Sequence, residues 1–128
     1  MKDLNRRQQA TLMSLAELQH WEAQHCTPLN TVCGRFLYFK IAEQVMSETQ
    51  GSQSLKDIHV DAHVSERAIR LKLREFERDG LIEAVSSQSD KRARLLTATP
   101  KLRALIAAHA QAMDQALGKS LLVIEKNQ

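Results

Sequence analysis

Long apolar runs are absent from this chain of 128 residues, and little of it is glycine (4 residues), proline (2), cysteine (2) or aromatic (4%). A membrane-spanning helix needs about 18 to 20 apolar residues in succession. No segment offers them, so no membrane partner is expected. The opening MKDLNRRQQATL is too polar to lead into the hydrophobic part of a secretory signal, which makes the cytoplasm the expected location. Cys26 and Cys33 form no CxxC and have no companion pair, so neither a disulfide framework nor a zinc ribbon is expected. No glycine-rich phosphate loop, nucleophile elbow or metalloprotease motif is present, and neither an enzyme nor a cofactor is expected. What remains, 43% hydrophobic and 26% charged, is the composition of one helix-rich domain with a modest core.

The charge is unevenly placed. The net value is +3, but the segment from Ser65 to Arg103 carries ten Lys/Arg against six Asp/Glu, and the remainder comes out at −1. A local positive excess marks a surface that faces an anion.

Periodicity gives the element order. Leu12, Leu15, Ala16, Leu18 and Trp21 recur at helical spacing between Leu4 and about Gln24. Thr27 and Pro28 are read as the cap and first turn of a second helix carrying Val32, Cys33, Phe36, Leu37, Ile41 and Val45 to about Glu48. Ser54 with Asp57 resembles a capping box for a short helix to about Ala62. Ser65 caps a further helix through Ala68, Ile69, Leu73 and Phe76 to a stop at Gly80. Two helices so closely spaced have helix-turn-helix geometry. Two β-like runs, Leu81 to Val85 and Ala93 to Thr97, then flank the turn SSQSDKR as a hairpin. Thr99 and Pro100 open a last long helix with Leu102, Leu105, Ile106, Met113, Ala116, Leu117, Leu121 and Ile124 as its stripe.

From Ser54 to Lys101 the text SLKDIHVDAHVSERAIRLKLREFERDGLIEAVSSQSDKRARLLTATPK resembles the winged helix-turn-helix of MarR-family (multiple-antibiotic-resistance regulator) transcription factors. The matching features are the serine opening the second helix, the Gly-Leu-Ile step into the hairpin, the Asp-x-Arg at its tip and the Thr-Pro-Lys that restarts the helix. The resemblance implies a mainly α fold with a small β-hairpin wing, the helix-turn-helix over 54–99 flanked by dimerisation helices over 1–26 and 100–128. It further implies a homodimer joined through Leu12, Leu15, Leu105, Met113, Leu117 and Leu121, a small-molecule effector bound between the dimerisation and DNA-binding parts, and repression of transcription. The sequence departs from the family pattern at Lys72, where an apolar residue is commoner, and at Gly118, which interrupts the final helix.

The chemistry of double-stranded DNA binding follows from the residues. A recognition helix enters a major groove with its N-terminal part, which would offer Ser65, Glu66, Arg67, Arg70 and Arg74 to DNA and Ile69, Leu73 and Phe76 to the core. An arginine fork grips guanine O6 and N7, or two phosphate oxygens. Glu66 either accepts from cytosine N4 or favours the positive end of its helix. The wing over 86–92 would bring Arg92 to a minor groove or the backbone, with Lys91 and Arg94 adding phosphate affinity and Asp90 bracing the Arg92 fork or simply forming the turn. The plain alternative for the helix is a solvated face of ion pairs.

Other clusters point less clearly. His59 and His63 have metal-ligand spacing only if one helix spans both, and His20, His25 and Cys26 lack paired spacing, so no metal site is expected. A redox role, implied by some relatives, falls on Cys26 in a turn that reads as exposed more than on Cys33, which sits on the apolar stripe. Trp21, Phe36, Tyr38 and Phe39 are read as core or as lining of the effector cleft. Two rival functions share the fold: a winged-helix adaptor that binds an acidic protein, and a DNA-binding protein of replication or chromosome maintenance.

Overall fold

The computed structural model describes residues 3–47, 52–54, 64–86 and 94–126, with the backbone alone at 52–54, 85–86, 94–95 and 119–126. Its elements are α1 (Arg6–His25), a 3-10 turn (Thr27–Asn30), α2 (Val32–Met46), β1 (Ser52–Ser54), α3 (Glu66–Arg78), β2 (Ile82–Ser86), β3 (Arg94–Ala98) and α4 (Pro100–Lys126). They group into two compact units, one of Met1–Thr27 with Ala107–Gln128, the other Pro28–Ile106.

The Pro28–Ile106 unit holds most of the apolar core. Leu37, Tyr38, Ile41 and Ala42 of α2, Ile69, Leu73 and Phe76 of α3, Ile82, Leu96 and Ala98 of the strands and Leu102 of α4 are all buried. Helix α3 is amphipathic with a 3.6-residue period, so one stripe is buried and the opposite stripe stays wet. The strands form an antiparallel sheet in the order β1-β3-β2, with Ile82 opposite Ala98 and Ser86 opposite Arg94. The edge strand β1, pairing Ser52 with Thr97, is a correction to the sequence reading, which places no strand there. Without hydrophobic alternation, a three-residue strand has no sequence signal of its own.

A second correction concerns the start of α2. Thr27 and Pro28 begin a separate 3-10 turn, and the cap is Thr31, whose Oγ1 accepts from Gly34 N at 3.0 Å. Gly34 permits this close turn, since a Cβ there would lie 2.3 Å from the Pro28 carbonyl oxygen.

In the other unit, α1 begins with a full capping box in which Asn5 and Gln8 satisfy each other's backbone N–H groups. The predicted apolar stripe of α1 is not buried within the chain: Leu12 is 57% exposed and Leu15 50%, while the buried residues of the helix are Ser14 and Glu22. Glu22 meets His109 of α4, whose Nε2 donates to the carboxylate at 2.8 Å, and Trp21 stacks on the His109 ring at 5.8 Å. Helix α4 runs through Gly118 without a break, so this glycine does not interrupt it. Among the described residues, no helix is long and apolar enough to cross a membrane.

Candidate nucleic-acid interface

Helix α3 is fixed at both ends by local chemistry. Ser65 caps its start, its Oγ accepting from Ala68 N at 3.1 Å, and the hydroxyl hydrogen is left to donate elsewhere. Its end is a Schellman arrangement around Gly80, which takes φ of 75°. Gly80 N donates to Glu77 O at 3.1 Å and Leu81 N to Phe76 O at 2.9 Å.

The next carbonyls are taken by the start of α4. Thr99 Oγ1 lies 2.6 Å from Gly80 O and accepts from Leu102 N at 3.3 Å, and Lys101 Nζ donates to Asp79 O at 2.8 Å. Thr99 N donates to Leu81 O at 3.0 Å. The Thr-Pro-Lys read as a helix start therefore also closes the end of α3, which holds that helix in a fixed orientation within its unit.

With Ile69, Leu73 and Phe76 turned inward, α3 presents an open concavity lined, among the described residues, by Glu66, Arg67, Arg70, Leu71 and Arg74. All five are exposed. Arg70 reaches back one turn to Glu66 at 2.7 Å, and both side chains are about 60% exposed (62% and 61%). Such a pair contributes only about 0.3–0.5 kcal/mol, so Arg70 can leave it for a stronger anion. Arg67 and Arg74 have no ion-pair partner among the described residues. The three arginines expected on one face do lie together, and Leu71, four residues after Arg67 and three before Arg74, lies among them.

Lys72 lies on the side of α3 toward α2, partly covered, and donates to Glu75 at 2.7 Å. That hydrogen bond, then the lysine charge, holds the Glu75 carboxyl below its ordinary range. Burial raises the thiol of Cys33 on α2, against the opposing pull of Lys72.

Several predicted residues fall elsewhere. Asp90, Lys91 and Arg92 of the wing, the helix expected after Ser54 as far as Ala62, and His59 and His63 lie outside the described residues, while Ser54 itself ends β1. Arg94 opens β3 opposite Ser86, and its side chain, like that of Leu121, lies outside them too. Leu117 is 56% exposed, and Leu105 and Met113 are half-buried. Cys26 corrects the redox reading, being fully buried and not in an exposed turn. Tyr38 is core, 1% exposed, whereas Phe36 and Phe39 are half-buried on α2. No group of three or more metal-ligating side chains occurs among the described residues.

No family model and no curated protein matches the sequence. Solved structures do match. A mutant of MepR from S. aureus, bound to an oligodeoxyribonucleotide, superposes with a TM-score of 0.65 at 18% identity, over 86% of this chain and 77% of its own. A mutant of MarR from E. coli, complexed with operator DNA, gives 0.57 at 17% identity over 85% and 74%. The chain has the fold of the MarR-type winged-helix regulators. BpsR of Bordetella bronchiseptica, whose DNA binding is regulated by 6-hydroxynicotinic acid, shares that fold with a TM-score of 0.54 and 20% identity over 88% and 74%. In this MarR-type fold α3 is followed along the chain by the antiparallel pair of β2 and β3.

Proposed function

We propose that the protein is a dimeric, sequence-specific regulator of transcription that binds double-stranded DNA and acts as a repressor, without enzymatic activity. The observation that carries this reading is the exposed face of α3, with Arg67, Arg70 and Arg74 on the side opposite buried Ile69, Leu73 and Phe76. A rigid helix with a wet arginine stripe suits a major groove, where the arginine fork meets guanine edges and phosphates. Ser65 adds a hydroxyl at the helix start, where phosphate oxygens are favoured by the helix dipole.

The wing over 86–92 completes the footprint by bringing Lys91, Arg92 and Arg94 to a minor groove or the backbone, Asp90 bracing Arg92. Leu12, Leu15 and Leu117, exposed on a single chain, join Leu105, Met113 and Leu121 in covering a second protomer. A twofold dimer then reads two half-sites about 34–36 Å apart. An effector that modulates binding, as 6-hydroxynicotinic acid does for BpsR, belongs to the same reading.

The test is selection of bound fragments from the source genome by the purified chain at low salt. The regulator reading expects a few approximately palindromic fragments near promoters. Enrichment of a replication origin or a single maintenance locus points to the corresponding rival, and retention of no duplex rejects DNA binding in favour of a protein partner.

A further inference from the structure

Leu71 is the one large apolar side chain among the five described residues that line the α3 concavity, and it is 49% exposed. It follows Arg70 directly, four residues after Arg67 and three before Arg74, so the three arginines surround it on the helix surface. The chain's own core lies on the opposite face, with Ile69 and Leu73 at 0% and 5% exposure, and gives Leu71 no cover there.

An apolar side chain ringed by arginines is matched to a surface that is anionic at its edges and apolar at one point. The major groove of DNA is such a surface. Phosphates border it, and thymine presents a C5-methyl group there beside base-edge donors and acceptors. Leucine against any of those polar groups would remove water without returning a hydrogen bond, whereas against the methyl it buries apolar area on both sides. We propose that Leu71 is a specificity-determining residue that contacts a thymine methyl in each half-site. The inference rests on the DNA-binding reading above and narrows it to a base feature.

The experiment uses the full chain and a duplex recovered by the genomic selection. Each thymine in turn is replaced by deoxyuridine, which removes only the methyl group, and affinity is measured for the unmodified chain and for Leu71→Ala and Leu71→Met. One thymine per half-site should stand out, its methyl loss weakening the unmodified chain about fourfold, the value of one buried methylene-sized group. Leu71→Ala should bind the thymine and deoxyuridine duplexes equally, and Leu71→Met should keep the difference. A methyl effect that persists in Leu71→Ala, or no methyl effect anywhere, overturns the proposal while leaving DNA binding intact. Failure to retain any duplex is a different result and overturns the DNA-binding reading itself. If Leu71→Ala changes only the sedimentation of the protein, Leu71 faces another chain and the proposal fails.

Discussion

Glu22 and His109, 87 residues apart in sequence, meet at 2.8 Å with their side chains 7% and 1% exposed. The pair joins α1 to α4 in a unit whose other buried positions include Ser14 and Cys26. His109→Ala removes a hydrogen bond from a buried carboxylate and should cost about 1–3 kcal/mol. His109→Gln, which can still donate, should cost less. Urea unfolding with the midpoint and slope fitted together gives the comparison, and equal stability of all three proteins would show that the pair carries no weight.

Two glycines should respond with opposite sign. Gly34→Ala would push a Cβ to 2.3 Å from the Pro28 carbonyl oxygen and 2.8 Å from Thr31 Oγ1, so backbone must move. A loss of about 1–3 kcal/mol is expected. Gly118→Ala meets nothing within 4 Å on its own chain and should gain about 0.5–1 kcal/mol of helix stability. Thermal unfolding of the two variants beside the unmodified chain checks both.

The local signals of the sequence carried most of the fold. Ser65, Gly80 and Thr99-Pro100 announced their caps and stops because each acts on neighbouring backbone groups. The alternation of Ile69, Leu73 and Phe76 with Arg67, Arg70 and Arg74 likewise fixed the two faces of α3. What escaped was set by distant partners. The Glu22–His109 pair has no local pattern, and Ser52–Ser54 became a strand because β3 offered a free edge. The stripe of α1 has the expected helical period, and Leu12 and Leu15, expected at a dimer interface, are left uncovered by their own chain.

Neither thiol should react quickly in the folded protein. Cys26 is fully buried, and burial raises the thiol of Cys33 above its ordinary range. At pH 7 iodoacetamide should therefore label both slowly and reach the rate of free cysteine only in urea. The sign for stability follows. As pH rises through the range of the unfolded thiol, the unfolded chain ionises before folded Cys33 does. Cys33 is thus neutral to stability below that range and lowers it on the alkaline side. Cys33→Ser should flatten the alkaline loss.

Leu15→Asp and Leu117→Asp test the uncovered face. Both positions are at least half exposed on a single chain, 50% and 56%, so the fold of the chain should survive. Sedimentation should show the unmodified protein as a dimer and each variant as a monomer with unchanged helical circular dichroism. An unmodified protein that sediments as a folded monomer would remove the dimer.

The affinity of the chain for its selected duplex, measured against salt concentration, bears most directly on the DNA-binding claim. Neutralising several phosphates gives a steep linear fall of log affinity with log salt, of slope about −0.9 per phosphate. Arg92→Ala should lower affinity and reduce that slope by about 1, while Arg70→Ala should in addition relax base preference by about 1–3 kcal/mol at one position. A flat salt profile, or unchanged affinity in both variants, would contradict the account.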